Sequence, residues 1–198
     1  MSDKLLIMFH GVGSNGVDLL PIAQYWQRQI DGLDIAYPNA PFPFMHSHEV
    51  FEWFSLTGIT PQNRYERIVD AREYFDQTIL RTLQEHKFQG DLSQLIFCGF
   101  SQGTIMCLDA IVSGRWSVAG CIGFSGRLAS PVESDVRTTK ISLMHGEADA
   151  VIAVEEGREA YHTLNEAGFD VQLETYTGLG HSVNELELKK GLEFLQAL

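Results

Sequence analysis

Short apolar runs alternate along this chain of 198 residues with longer segments in which apolar positions recur every three or four residues. The short runs predict buried strands, and the longer segments predict amphipathic helices. Such an alternation is typical of a mostly parallel central sheet with helices on both faces. The predicted strands are Lys4 to Phe9, Leu33 to Tyr37, Leu95 to Gly99, Val118 to Phe124, Ile141 to His145 and Val171 to Tyr176.

The longer segments also carry signals for helix ends. Asp18 is the expected N-cap of the first helix, since its side chain can accept from free N–H groups of the first turn. The second helix is predicted to span roughly Asn63 to His86, and Gly168 is expected to stop the helix before the sixth strand. The faces of the first, third and last helices are marked by Leu19, Ala23, Trp26 and Ile30, by Ile105, Leu108 and Val112, and by Leu188, Leu192 and Leu195.

The segment from Pro38 to Gln62 has no clear period, and its length of about twenty-five residues exceeds most structureless connections in compact domains. Loops of this kind are often functional. Its aromatic residues either line an acyl or alcohol pocket or pack the loop onto the core, and the sequence leaves both open. The candidates for substrate binding are Phe42, Phe44, Trp53 and Phe54.

Composition favours one domain over residues 1–198, because 44% hydrophobic content is enough for one substantial core. The formal net charge is −12, from 14 Lys and Arg against 26 Asp and Glu. A phosphate backbone or an anionic membrane surface would be repelled by this charge. Nucleic acid is therefore excluded as an expected partner.

Cys98, Cys107 and Cys121 lie inside apolar runs and lack the paired spacing of a zinc site or a disulfide framework. They are predicted to be buried, reduced thiols, and no metal site is expected. The apolar run from Leu5 to Phe9 is short and ends at His10, so it does not resemble a signal core. No stretch reaches a transmembrane length, and we expect a cytoplasmic protein without stable membrane insertion.

The pentapeptide Gly99-Phe100-Ser101-Gln102-Gly103 lies between a predicted strand and a predicted helix. This is the context of a nucleophile elbow, the sharp turn that exposes a catalytic serine above the sheet. The glycines two residues before and after the serine are expected to allow close approach of neighbouring backbone. Ser101 is therefore the candidate nucleophile.

A serine hydroxyl needs a base, and the base needs an acid to orient it. Asp149 follows the fifth predicted strand and His181 follows the sixth, which is the Ser, Asp, His order of this fold class. All three side chains are expected at the carboxyl ends of parallel strands, where ligands bind. Glu147 is the alternative acid, whereas His10, His145 and His162 are interpreted as structural.

A tetrahedral intermediate carries a negative oxygen that backbone N–H groups can stabilise. Gln102 is expected to supply one N–H group, and Val12, within His10-Gly11-Val12-Gly13, the other. A glycine-rich phosphate loop is the alternative interpretation of the second segment. It is disfavoured because no Lys-Ser or Lys-Thr pair follows.

Four landmarks occur in order over nearly the whole chain: His10-Gly11-Val12-Gly13, Pro38-Asn39-Ala40-Pro41, Gly99-Phe100-Ser101-Gln102-Gly103 and Gly180-His181. Together they resemble the phospholipase/carboxylesterase family of α/β-hydrolases, which includes the acyl-protein thioesterases. The resemblance implies Ser101 as nucleophile, His181 as base and Asp149 as acid. It also implies an oxyanion hole from Val12 and Gln102, and an α/β-hydrolase fold without a large cap domain.

Two positions depart from the family pattern, since Ser14 and Ser55 stand where the family often has acidic residues. We therefore do not infer from the family that this chain deacylates lipidated proteins. The segment Trp53-Phe54-Ser55-Leu56 looks more like that of bacterial esterases. The expected activity is hydrolysis of carboxylic esters or thioesters of small molecules, without a cofactor. A hydrolase-fold binding protein with weak turnover, a dienelactone-hydrolase-like activity and a peptidase are the alternatives, and a homodimer is compatible with the sequence.

Overall fold

The structure, a computed structural model, describes residues 4–198. Its strands are β1 (Lys4–Phe9), β2 (Leu33–Ala36), β3 (Phe42–Pro43), β4 (Phe51–Glu52), β5 (Leu95–Phe100), β6 (Gly120–Phe124), β7 (Lys140–Gly146) and β8 (Val171–Tyr176). Its helices are α1 (Leu20–Gln27), α2 (Arg64–Glu85), α3 (Gln102–Val112), α4 (Val154–Glu166) and α5 (Glu185–Gln196).

Six of these strands form one sheet in the order β2-β1-β5-β6-β7-β8, and every neighbouring pair is parallel. The six predicted strands are all present, with ends that differ by at most two residues. Parallel pairing brings the carboxyl ends of β5, β7 and β8 to the same edge of the sheet. The segments that follow these three strands carry Ser101, Asp149 and His181.

The sheet separates two apolar cores, because successive side chains of a strand point to opposite faces. In β1, Leu5 and Ile7 join the core beneath α2, α3 and α4, whereas Leu6 and Met8 join the core beneath α1 and α5. Helices therefore cover both faces, as the sequence predicted. Near-continuous apolar strands are the consequence of this two-sided burial.

Helix α3, which follows Ser101, is buried along its whole length. It carries Asp109, whose carboxylate accepts hydrogen bonds from Arg72 at 2.8 Å, Arg115 at 2.8 Å and Ser130 at 2.6 Å. Burial alone would raise the pKa of Asp109, but these partners outweigh it and lower the pKa. This ion-pair network fixes α3 against α2.

The predicted start of the first helix is wrong. Asp18 lies inside a 3₁₀ turn, Gly16–Leu19, which is capped by the side chain of Asn15, and its carboxylate accepts from Ser14 Oγ at 2.7 Å. Helix α1 begins only at Leu20, with a proline in its first turn. The apolar residues of the 3₁₀ turn continue the spacing of those in the following helix, so the hydrophobic pattern could not show where the turn ends and the helix begins.

The segment between β2 and α2 contains a two-stranded antiparallel ribbon of β3 and β4. Phe51 also forms a bridge with Ser14 of the loop after β1: Phe51 N donates to Ser14 O at 2.8 Å, and Gly13 N donates to Phe51 O at 2.9 Å. Strands of two residues are too short to give a periodic signal, so the sequence predicted no element here. Of the secondary-structure elements within residues 4–198, only this ribbon and three 3₁₀ turns do not belong to the sheet or its five helices, and these residues form no large cap domain.

The three cysteines are buried and free, as predicted. Burial raises the pKa of Cys98 and Cys107 well above the ordinary value of a thiol. Within residues 4–198, no helix combines the length and the apolar composition that crossing a bilayer would require.

Candidate active site

Ser101 lies in the tight turn between β5 and α3, with φ 53° and ψ −114°. This conformation is rare for a residue with a side chain and marks local strain. The turn depends on the flanking glycines, because a Cβ on Gly103 would lie 2.0 Å from Phe9 O and one on Gly99 would lie 2.4 Å from Thr104 N. The expectation that these glycines allow close backbone approach is confirmed.

His181 and Asp149 reach Ser101 through two hydrogen bonds. His181 Nε2 lies 2.9 Å from Ser101 Oγ, and His181 Nδ1 lies 2.7 Å from Asp149 Oδ2. A carboxylate can only accept, so Nδ1 carries a proton and Nε2 is free to accept the serine hydroxyl. The three residues predicted from chain order therefore meet in space in a continuous chain of hydrogen bonds.

The Asp149 carboxylate is held from its other side by the backbone. Its Oδ1 accepts from the N–H groups of Val151 at 2.8 Å and Ile152 at 2.9 Å. Burial raises the pKa of Asp149, but the hydrogen bonds from His181 and from these N–H groups outweigh burial and lower it. The carboxylate is thus ionised and fixed in orientation at neutral pH.

The loop that carries His181 is fastened directly to the end of β7. Ala148 N donates to Leu179 O at 2.9 Å. A Cβ on Gly146 would lie 2.3 Å from the same carbonyl oxygen, so only glycine permits this approach. Glu147, the alternative acid, accepts hydrogen bonds from Thr175 and Thr177 instead of from His181.

Two of the other histidines form hydrogen bonds with backbone groups. His10 Nε2 accepts from Ala40 N–H at 3.0 Å, which leaves Nδ1 to donate to Gly11 O at 2.7 Å. Burial lowers the pKa of His10, so the ring stays neutral. His145 Nε2 donates to Ile152 O at 2.8 Å. Their structural interpretation agrees with these contacts.

Val12 and Gln102, the predicted oxyanion donors, lie with Ser101 in the wall of one cavity of about 240 Å³. Gln102 is the first residue of α3, so its N–H group has no partner within the helix. The positive end of the α3 dipole also points at this position, which favours a negative charge there. The arrangement can stabilise an anion formed next to Ser101 Oγ.

The remaining wall of this cavity is mostly apolar, with Phe54 and Ile105 among its residues, but it also contains Arg64 and Arg127. Neither arginine was predicted from the sequence. Arg64 begins α2 and Arg127 follows the turn after β6, and neither position belongs to a recognisable motif. Only the folded chain brings them near the serine.

The four aromatic residues predicted for substrate binding lie in different places. Phe54 lines the cavity with Ser101 and also a second cavity of about 530 Å³, where it is joined by Phe42. Phe44 packs beside Gly13. Trp53 is 1% exposed and packs edge-on against Phe9 and Phe75, so it takes the core-packing alternative.

No group of three or more His, Cys, Asp or Glu side chains within residues 4–198 has the arrangement of a metal site. The polar side chains of the site are one hydroxyl, one imidazole, one carboxylate, one amide and two guanidinium groups, from Ser101, His181, Asp149, Gln102, Arg64 and Arg127. This set is suited to nucleophilic and acid–base chemistry.

Comparison with known proteins agrees with this geometry. The sequence profile of the phospholipase/carboxylesterase family matches residues 1–198. Esterase YpfH of Escherichia coli (strain K12) is 32% identical over 196 residues, covering 98% of this chain and 83% of the relative. Acyl-protein thioesterase 1 of Emericella nidulans is 26% identical over 214 residues, covering 96% and 88% of the two chains.

The crystal structure of esterase PE8 superposes with a TM-score of 0.88 at 26% identity, covering 99% of this chain and 93% of that one. The family predicted from the four sequence landmarks is thereby confirmed. The chain belongs to the phospholipase/carboxylesterase family of α/β-hydrolases and is an ester-hydrolysing enzyme.

Proposed function

We propose that this enzyme cleaves carboxylic esters or thioesters through a triad of Ser101, His181 and Asp149 and an acyl-enzyme intermediate. One observation carries the proposal. The hydrogen bonds of 2.9 Å and 2.7 Å link the serine hydroxyl, the imidazole and the carboxylate in the order that proton transfer requires.

In the first half-reaction, Ser101 Oγ attacks the carbonyl carbon while His181 Nε2 removes the hydroxyl proton. The carbonyl π-electrons move to its oxygen, and they return as the bond to the alcohol or thiol breaks. His181 donates its proton to the leaving group, so the acyl group remains on Ser101. Water then attacks the acyl-enzyme by the same route and releases a carboxylic acid.

Asp149 is proposed to hold the imidazole in the tautomer with a proton on Nδ1 and to stabilise the imidazolium that forms. The carboxylate itself does not take up the proton. Support comes from its fixed orientation, since Oδ1 is occupied by two N–H groups and only Oδ2 faces His181.

The N–H groups of Val12 and Gln102 are proposed as the oxyanion hole. Removing one donor of such a pair typically costs about a hundredfold to a thousandfold in kcat. The position of Gln102 at the N-terminus of α3 supports the assignment, because the helix dipole adds to the N–H donor.

The test is covalent labelling of the folded protein with a fluorophosphonate, followed by location of the adduct by mass spectrometry. We expect the adduct on Ser101 and loss of labelling in Ser101→Ala. Ser182→Ala is the matched control, because Ser182 neighbours His181 and is exposed, and it should label normally. Folded protein without an adduct on Ser101 would favour the alternative of a binding protein with weak turnover.

A further inference from the structure

The cavity beside Ser101 combines apolar walls with two positive charges. Its volume of about 240 Å³ is below the range of about 300–1,000 Å³ that drug-sized ligands occupy. Leu56 and Ile152 contribute to the apolar wall, and Arg64 and Arg127 are the charged residues. No acidic side chain within residues 4–198 belongs to the lining. The cavity therefore fits a short carbon chain, and the charged side chains in its wall are both positive.

Arg127 is largely removed from water. Its side chain is 14% exposed, and Nη1 lies 2.9 Å from Glu156 Oε1. Burial, together with the positive charge of nearby Arg64, lowers the pKa of Arg127. Glu156 forms an ion pair with Arg127, and the carboxylate of Asp149 attracts Arg127 as well. Neither carboxylate forms an ion pair with Arg64 within residues 4–198.

Arg64 is the second cation, and its position is unfavourable for a purely structural arginine. It is the first residue of α2, where the helix dipole opposes a positive charge. Arg127 adds repulsion between like charges. No acidic residue within 4–198 forms an ion pair with Arg64. An anion in the cavity would relieve both unfavourable interactions.

The two positive side chains in the cavity wall contrast with the negative charge of the whole protein. With a formal net charge of −12, the surface as a whole repels anionic substrates. Two arginines in the wall of the cavity that contains Ser101 oppose that repulsion, and their planar arrays of donors match a carboxylate. Apolar esters would gain nothing from two half-buried cations.

We infer that this cavity selects esters or thioesters that carry a carboxylate a few carbons from the scissile carbonyl, and that Arg64 and Arg127 bind this carboxylate. The inference rests on the proposed function of Ser101. The carboxylate lies either on the acyl group or on the leaving alcohol, and the chemistry of recognition is the same in both cases.

The test compares kcat/KM for two pairs of esters that have the same shape and differ in charge. Ethyl hydrogen succinate and ethyl 4-methylpentanoate place the charge on the acyl side. The esters 3-butyryloxypropanoate and 3-methylbutyl butyrate place it on the leaving-group side. We expect the wild-type enzyme to prefer the charged member of one pair, and that pair identifies which part of the substrate enters the cavity.

Arg64→Gln and Arg127→Gln should each lower kcat/KM for the preferred charged ester by about tenfold to a hundredfold, the usual effect of losing a charge-assisted hydrogen bond. The neutral partner should change by less than about threefold. Arg64→Lys, which keeps the charge, should retain part of the preference. Glu156→Gln should raise the preference for the charged ester, because the substitution frees Arg127 from its ion pair.

Arg67→Gln is the matched control, because Arg67 lies on the same helix and its guanidinium contacts Thr57 O. It should leave the charged-to-neutral ratio unchanged. A wild-type ratio below one in both pairs, or an unchanged ratio in Arg64→Gln, would overturn the inference. Ser101→Ala should abolish turnover of every ester in either case, so failure of the proposed function would be seen separately.

Discussion

Gln102 Nε2 donates a hydrogen bond to the backbone carbonyl of Phe54 at 2.7 Å. The Oε1 atom of the same side chain accepts from Trp53 N at 2.8 Å. The residue after the nucleophile therefore fastens the long loop between β2 and α2 to the start of α3. Because Phe54 also lines the cavity, this contact fixes part of the cavity wall.

Replacing Gln102 by Ala should lower the free energy of unfolding by about 2–4 kcal/mol, because a buried N–H group and a buried carbonyl would lose their partners. The backbone N–H of residue 102 is retained. Urea denaturation measures the loss. Gln77→Ala is the control, since Gln77 is exposed on α2, and it should change stability by less than about 0.5 kcal/mol. Equal effects in the two variants would contradict the fastening role.

Ser101→Ala and His181→Ala should each reduce kcat by about ten-thousandfold or more, because both belong to one proton-transfer unit. The double variant should be little worse than either single variant. Steady-state kinetics on a neutral ester measures the three values. Additive losses would mean that the two side chains act independently and would argue against a shared triad.

Asp149→Asn should lower kcat on the order of 10⁴-fold while the fold is retained. The asparagine Oδ1 can still accept from Val151 and Ile152, but its NH₂ group would face His181 Nδ1 and favour the wrong tautomer. Thermal unfolding should confirm an intact fold. Glu147→Gln is the control, because Glu147 contacts Thr175 and Thr177 rather than the imidazole, and it should keep near-normal activity.

Glu187 is a buried carboxylate on α5. Its Oε2 accepts from Asn184 N at 2.9 Å, whereas its Oε1 is buried without a hydrogen-bond partner among residues 4–198. Burial raises the pKa of Glu187 from 4.5 to about 7, although the hydrogen bond from Asn184 opposes the shift. The folded protein therefore holds this proton more tightly than the unfolded chain does.

Because of this difference, ionisation of Glu187 lowers the stability of the folded protein as the pH rises. The contribution of Glu187 to the free energy of unfolding is fully present below pH 4.5 and is lost as the pH rises through about 7. The loss is as much as about 3 kcal/mol. Glu187→Gln keeps an acceptor for Asn184 and should remove this loss, so the variant should be the more stable protein at pH 8. Unfolding free energies from pH 4.5 to 8 measure the slope. Glu185→Gln, on the exposed side of the same helix, should leave the slope unchanged.

The sheet and the meeting of Ser101, His181 and Asp149 could be predicted because they depend on order along the chain. Parallel strands end at one edge, so residues that follow β5, β7 and β8 converge whatever the details of packing. The glycine at 103 was interpretable for a similar reason, since the elbow fixes where its neighbours lie.

Arg64 and Arg127 could not be predicted because they reach the cavity through the packing of α2 and of the turn after β6, which no local pattern encodes. Trp53 was ambiguous for a related reason. Its indole Nε1 donates to His10 O at 2.9 Å and its ring fills the core, a position set by a contact between residues far apart in the chain. The predicted start of α1 was wrong because a 3₁₀ turn can have the same apolar spacing as a helix.

The position of β1 between β2 and β5 shapes how a nascent chain acquires its structure. As the polypeptide leaves the ribosome, β1 can pair at first only with β2, and its other edge stays open until Leu95 and the residues after it have been made. Pairings over such separations form slowly and leave apolar edges exposed. The loop with His181 is translated later still, so the growing polypeptide holds its nucleophile without a base until residue 181 has been made.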